Sequence, residues 1–245
     1  MFKRILKSNP ATFYFYKKVK ATRKFFTGVK LLDLFPLPKL FLILKVKPYT
    51  LLSYKRLSFL YWASRRLNFN KMQGDFVECG SWNGGSGAII SSLAYDRKVW
   101  LLDSWEGMPE AGSEDIKIKR KKVVGEKGMA LSSFEKANHL LFSKLRLNPD
   151  NISLVKGWFE DTTPVLKNKI DKISLLHLDC DWYESVKFCL ENFYDKVISG
   201  GYVIIDDYGS WSGSKKGVDE FIRERELCVE LVKIDKDAVY FIKPK

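Results

Sequence analysis

Histidine is nearly absent from this chain. Among 245 residues only His139 and His177 occur. A Ser-His-Asp nucleophile or a histidine-rich metal centre is therefore poorly supported. The four cysteines (79, 180, 189 and 228) lie in apolar stretches without Cys-x-x-Cys spacing. That argues against a zinc knuckle and a disulfide framework, and for reduced thiols in a cytoplasmic protein. No Gly-x-Gly-x-x-Gly dinucleotide fingerprint is present, and no Gly-Lys-Ser/Thr of a P-loop. Long apolar runs are missing too. The best candidate, residues 34–45, is interrupted by Pro36, Pro38 and Lys39, too soon to cross a bilayer. No apolar core precedes a small-residue cleavage site, so the start of the chain does not read as a signal peptide.

Acidic residues are scarce only at the beginning. The net charge is +13, yet residues 1–47 hold 12 Lys/Arg against the single acid Asp33, so the remainder carries only +2. Residues 1–48 read as a basic extension in which Phe13, Tyr14, Phe15, Tyr16, Phe25 and Phe26 alternate with lysine and arginine. Such a mixture suits adsorption to an anionic membrane surface, at which a lipid-linked acceptor would be met. It equally suits packing on the main domain or on a second subunit of a homo-oligomer. Nucleic acid is the weaker partner. Residues 49–245 have the length and the apolar content (46% for the whole chain) of one α/β domain.

That domain is organised around Gly74 to Gly87. Phe76, Val77 and Cys79 make a short strand with Glu78 near its end. Gly80, Ser81, Trp82, Asn83, Gly84 and Gly85 make a turn, and Ala88, Ile89, Ile90 and Leu93 begin a helical stripe. Strand, glycine turn, helix opens a doubly wound sheet, and the free N–H groups of the new helix face a ligand. Acid-x-Gly with this looser turn resembles the first motif of S-adenosylmethionine (SAM)-dependent methyltransferases. The alternative is a strand-turn-helix without a ligand.

The later elements repeat the pattern. Val99 to Asp103 is a second strand, and Asp103, 25 positions after Glu78, is placed to accept hydrogen bonds from ribose hydroxyls, with Ser104 beside it. Turn-capping is the competing role. The aperiodic insertion 104–130 is either a solvated loop or a lid. Leu131 to Leu145 has helical periodicity. After the strand Ile152 to Val155, Phe159 and Asp161 are expected at the adenine edge, although Thr162-Thr163-Pro164 also reads as a helix start. The strand Ile173 to Asp179 is followed by Asp181, and the strand Tyr202 to Asp206 by Asp207. Strand ends converge at the switch point of such a sheet, which brings Asp179, Asp206 and Asp207 together. Clustered carboxylates need raised pKa values or a cation, and Mg²⁺, then Mn²⁺, suits oxygen ligands. Capping of helices and turns is the alternative. Lys215 and Lys216 are candidates to meet an acidic acceptor. Two last strands, about Cys228 to Ile234 and Ala238 to Ile242, joined at Asp235-Lys236-Asp237, complete a seven-stranded, mostly parallel sheet with an antiparallel last strand and helices on both faces.

Taken together, Asp75-Phe-Val-Glu-Cys-Gly, Leu102-Asp-Ser-Trp-Glu-Gly-Met-Pro, Gly157-Trp-Phe-Glu-Asp-Thr, Leu178-Asp-Cys-Asp-Trp-Tyr-Glu-Ser and Gly200-Gly-Tyr-Val-Ile-Ile-Asp-Asp-Tyr resemble the macrocin O-methyltransferase family, in order from Tyr49 to Phe221. The resemblance implies a Rossmann-like class I fold and SAM- and Mg²⁺-dependent methylation of a sugar hydroxyl. It also implies metal binding at Asp179, Asp206 and Asp207. Asp181 is then the first candidate base and Asp179 the second. A catechol-type acceptor, an NAD oxidoreductase and a basic membrane-binding module are the competing functions.

Overall fold

The computed structural model describes residues 20, 22–118, 122–123 and 127–245. Phe13 to Tyr16, and with them the first part of the basic aromatic extension, lie outside the described residues. So does part of the charged insertion.

The helix α1 spans Leu37–Val46 and α2 Tyr54–Phe69. Then come β1 (Asp75–Cys79), α3 (Gly85–Ser91) and β2 (Val99–Asp103). A small hairpin, β3 (Ile116–Lys117) with β4 (Lys122–Val123), sits in the insertion. The short α4 (Phe134–Asn138) widens into a π turn over His139–Lys144. After it follow β5 (Ile152–Lys156), α5 (Phe159–Leu166), β6 (Ile173–Leu178), α6 (Tyr183–Phe193) and β7 (Val197–Ile205). The chain closes with α7 (Ser212–Glu224), β8 (Val232–Lys233) and β9 (Val239–Ile242).

The main sheet has the order β5-β2-β1-β6-β7-β9-β8. β5 to β7 pair in parallel, and β9 inserts antiparallel between β7 and β8. This is the expected mostly parallel seven-stranded sheet. All six residues of β6 are buried, as a central strand covered on both faces requires. Alternate side chains feed two cores. Phe76, Leu101, Leu175 and Ile204 join the core beneath α2 and α3. Val77, Leu102, Leu176 and Val203 join the one beneath α6 and α7.

Two boundaries differ from expectation. Pro164, read as a helix-start signal, is the sixth of eight residues in α5, which begins at Phe159 behind the N-cap Trp158. A proline there removes one N–H from the ladder, a tolerable loss in so short a helix. The expected strand 228–234 shrinks to Val232–Lys233, whose side chains are exposed at the sheet edge.

The apolar run at 34–46 packs on the domain. Ile43 and Val46 are fully buried in the same core as Tyr54, Leu57, Ala88 and Ile89. The opposite side of this segment remains exposed at Phe35, Leu37, Phe41 and Leu44. Ile43→Ala should therefore cost about 2–5 kcal/mol of stability. Leu44→Ala, one residue on, should change it by no more than about 0.5 kcal/mol. Equal small effects in denaturant melts would detach α1 from the domain core.

Candidate functional site

The glycine turn is built by close contact between the ends of β1 and β6. Gly80 has φ +91°, and a Cβ there would stand 2.0 Å from the carbonyl oxygen of Asp179. No side chain fits, so the turn meets the loop after β6 backbone to backbone. Gly84 (φ +84°) caps α3, and Gly85 lies against the Tyr49 carbonyl and Thr50. Asn83 faces away from the turn and accepts a hydrogen bond from the Ser133 N–H at 3.0 Å. Beneath the turn, Glu78 Oε1 lies 2.9 Å from His177 Nδ1, both residues being fully buried. Glu78 Oε2 and the Ser81 hydroxyl are buried with no hydrogen-bond partner among the described residues. Orphaned buried acceptors of this sort are costly unless a ligand satisfies them.

Asp103, at the end of β2, holds the far wall. Its Oδ2 accepts from the Trp82 N–H and its Oδ1 from the Trp105 N–H, each at 2.7 Å. Burial raises its pKa, against these two backbone hydrogen bonds and the Ser132 hydroxyl. The carboxylate thus does the turn-holding work; Oδ1 accepts from the Ser132 hydroxyl as well, and Oδ2 keeps a second lone pair for a ligand. Trp82 and Trp105 both adopt positive φ, and the indole N–H of Trp105 donates to the Trp82 carbonyl at 2.7 Å. The insertion is pinned over this turn. Trp82 Nε1 donates to the Ala130 carbonyl, and the Met108 N–H to the Met129 carbonyl.

Carboxylates crowd the ends of β6 and β7. One oxygen each of Asp179, Asp206 and Asp207 lies within 4.8 Å of the others. Asp179 is held well above the usual carboxylate range by burial and by the charges of Asp206 and Asp207. Asp181 is raised by burial and by Asp207, which is also its hydrogen-bond partner. Its backbone is left-handed, with φ +57°. An aspartate tolerates that conformation better than most residues, and such strain gathers at functional sites. Burial pushes Asp206 up to about 6 although Arg56 opposes the shift.

Arg56 is the functional residue that sequence reasoning missed. It lies one turn into α2, whose N-cap Ser53 accepts from the Arg56 N–H. Its fork ion-pairs with Asp206, with Asp235 at 3.0 Å and with Asp237 at 3.0 Å. Burial works against its charge, but Asp206, Asp207 and Asp235 raise its pKa overall. Its partners are 150 or more positions away, so no local pattern marks it.

These groups share one cavity of about 1700 Å³. Gly80, Ser81, Trp82, Asp103, Ser104, Phe159, Asp179, Asp181, Asp206 and Asp207 line it. Of the residues expected at the cofactor, Glu78, Asn83, Gly84 and Gly85 are buried behind the lining. Asp161 is exposed on α5 and outside the lining, one turn past Trp158 and Phe159, which do line it. Helix phase explains the difference: α5 begins at Phe159, so Asp161 points off its outer side. Lys215 and Lys216, considered for an acidic acceptor, already face carboxylates. Lys215 pairs with Asp219, and Lys216 with Glu114 at 2.9 Å.

The sequence profile of the macrocin-O-methyltransferase (TylF) family matches residues 46–243. A demethyldecarbamoylnovobiocin O-methyltransferase of Streptomyces niveus is 33% identical over 198 residues, covering 79% of this chain and 75% of the relative. An 8-demethyl-8-(2,3-dimethoxy-alpha-L-rhamnosyl)-tetracenomycin-C 4'-O-methyltransferase of Streptomyces olivaceus is 33% identical over 165 residues, 65% of this chain and 62% of the relative. The solved structure of the O-methyltransferase NovP superposes with a TM-score of 0.72 at 32% identity, over 80% of this chain and 83% of that one. With the strand order, the glycine turn and its orphaned acceptors, these similarities place the chain in the macrocin-O-methyltransferase family, as a SAM-dependent O-methyltransferase of the class I fold.

Proposed function

We propose that the chain methylates a hydroxyl of a sugar or glycoconjugate, with a divalent cation at Asp179, Asp206 and Asp207. The observation that carries this reading is the cluster of strand-end carboxylates in one cavity with the glycine turn. The relative from Streptomyces olivaceus is named for a rhamnosyl substrate, which supports a sugar acceptor.

The residues fit both missing groups. At the turn, the buried Ser81 hydroxyl offers an unsatisfied polar atom in the lining, and Gly80 keeps the wall open to a close approach. SAM, when bound, supplies a methyl made electrophilic by its sulfonium. Asp103 is the acceptor for its ribose, Gly80, Ser81 and Trp82 of the turn flank its methionyl end, and Phe159 flanks its adenine. At the strand ends the donor set is all carboxylate oxygen, which suits Mg²⁺ or Mn²⁺. Arg56 shares one positive charge among Asp206, Asp235 and Asp237, and no ion pair reaches Asp179, Asp181 or Asp207 among the described residues. A divalent ion bound there supplies a Lewis acid that lowers the pKa of an acceptor hydroxyl. Asp181, raised in pKa beside Asp207, accepts the hydroxyl proton, and Asp179 is the second candidate. The cavity walls hold the acceptor in line with the methyl, an orienting effect of up to about 7–11 kcal/mol in favourable cases.

A peripheral contact with an anionic membrane belongs to the same proposal. No described helix is long and apolar enough to cross a membrane. Leu31, Leu32, Phe35 and Phe41 are exposed near Lys30 and Lys45, which supports surface adsorption. Sedimentation with anionic liposomes that weakens with added salt is the expected result. No sedimentation at low salt removes the membrane from the account.

Asp206→Asn and Asp207→Asn should abolish turnover and weaken divalent-ion binding, leaving SAM binding nearly intact. The ion's effect should also depend on pH. Asp206 has a folded pKa near 6, above its unfolded value of 3.8, so the metal-free protein loses stability as pH rises through that window. A cation that relieves the repulsion should raise the melting temperature more at pH 7.5 than at pH 5. A shift independent of pH, or full activity of both variants in chelator, would sink the metal assignment.

Asp103→Ala should lower SAM affinity by about ten- to a hundredfold, the loss of one charge-assisted pair of about 1.5–3 kcal/mol. Divalent-ion affinity should change little. A titration showing unchanged SAM affinity, with only a lower melting temperature, would return Asp103 to holding the turn.

A further inference from the structure

The cavity is electrostatically lopsided. Its lining carries the carboxylates of Asp179, Asp181, Asp206 and Asp207 at the strand ends and the ammonium groups of Lys24, Lys47 and Lys55 from the N-terminal part of the chain. These three lysines come from separate pieces of chain: the helical stretch 22–25, the end of α1 and the first turn of α2. None of them has a carboxylate within ion-pair distance among the described residues, in contrast to two other cations of the lining. Arg56 is shared by three aspartates and Lys236 pairs with Asp237 at 2.8 Å. The ammonium of Lys47 lies 4.7 Å from the ring centre of Phe25, itself a buried part of the lining. That of Lys55 lies against Gly28, where a Cβ would stand 3.2 Å from Nζ. Gly28 has φ +70° and bears no side chain, which leaves the ammonium room.

Lys47 is half-buried, and its pKa is lowered by that burial and by the charge of Lys24. Cations brought together at a cavity wall without acids raise one another's energy, and a bound polyanion reverses the sign. The cavity also has room for more than a cofactor. Its volume of about 1700 Å³ exceeds the roughly 300–1,000 Å³ that holds one drug-sized ligand.

We propose that Lys24, Lys47 and Lys55 form an anion subsite for the acceptor, which is a sugar carried on a diphosphate. The sugar hydroxyl then lies toward the aspartates and the diphosphate toward the lysines. This rests on the sugar O-methylation reading above and narrows its substrate class. A nucleoside-diphosphate sugar and a lipid-diphosphate-linked glycan share this chemistry. Lysine ammonium groups bind either as point charges, without reading the group beyond the phosphates.

The first test needs no acceptor. Inorganic pyrophosphate is titrated calorimetrically into the full chain loaded with demethylated SAM, in chelator and at low salt. The wild type should bind, and the triple variant K24E/K47E/K55E should bind at least about tenfold more weakly. The triple arginine variant, which keeps the charge, should retain binding. SAM affinity and melting temperature of the charge-reversed protein report whether it is folded. No pyrophosphate binding by the wild type, or equal binding by a folded charge-reversed variant, overturns the subsite.

The second test uses labelled SAM with one sugar in three forms: nucleoside-diphosphate-linked, polyprenyl-diphosphate-linked in detergent, and as a methyl glycoside. One diphosphate form should show a KM at least about tenfold below that of the glycoside, and charge reversal should erase the difference with SAM affinity unchanged. Whichever diphosphate arm is methylated identifies the carrier. If the glycoside serves as well as both diphosphates, the subsite is wrong and sugar methylation stands. If no sugar is methylated while pyrophosphate still binds at the lysines, the anion site stands and the sugar reading fails.

Discussion

Mutual repulsion among carboxylates is the constraint that shapes this molecule. Asp179, Asp181, Asp206 and Asp207 sit at the ends of β6 and β7, with Asp235 and Asp237 close by on the last hairpin. Parallel strands deliver them there because every parallel strand of such a sheet ends on the same edge. Left alone, the cluster would hold protons or push the strand ends apart. Arg56 limits this by reaching from α2 to β7 and to the turn between β8 and β9. One guanidinium thereby ties α2 to the last strands of the chain. It also fixes the Asp206 carboxylate on one side and leaves its neighbours facing the cavity.

The sheet was largely legible in the sequence, and the reason is periodicity. Each parallel strand is a short apolar run closed by an acid or a glycine, and the residues that alternate between the cores alternate in the sequence as well. The convergence of Asp179, Asp206 and Asp207 followed from strand order, because topology places strand ends with little help from side chains. Phase was harder to read. Asp161 and Phe159 are two positions apart, and only the true start of α5 at Phe159 decides which one faces the cavity. Arg56 was illegible for a different reason. Its role exists only once residues 150 or more positions apart are folded together, and locally it is one more basic residue on an amphipathic helix. Lys215 and Lys216 show the converse: conspicuous as a pair in sequence, they are neutralised by acids within helical reach or across a loop.

The basic N-terminal part divides into two functions that its composition had blended. The apolar residues at one side of α1 are ordinary core, since Ile43 and Val46 complete the layer over α2 and α3. The charges are not evenly placed: Lys24 and Lys47 line the cavity, whereas Lys30 and Lys45 are exposed outside its lining. The large formal charge of this segment is therefore a sum over sites with different roles, and an average over the segment hides each of them.

Gly80 has a consequence for how such an enzyme can diverge. The turn that faces the methyl donor and the loop that carries Asp179 touch through bare backbone, with no side chain between them to be exchanged. The spacing between this turn and that loop is in that sense unmutable: substitutions can abolish it but cannot tune it. Variation is left to the rest of the lining, to which the segment 24–28 and the insertion after β2 contribute. Descendants of this fold are free to redraft those two segments, while the contact between the turn and the Asp179 loop is inherited unchanged.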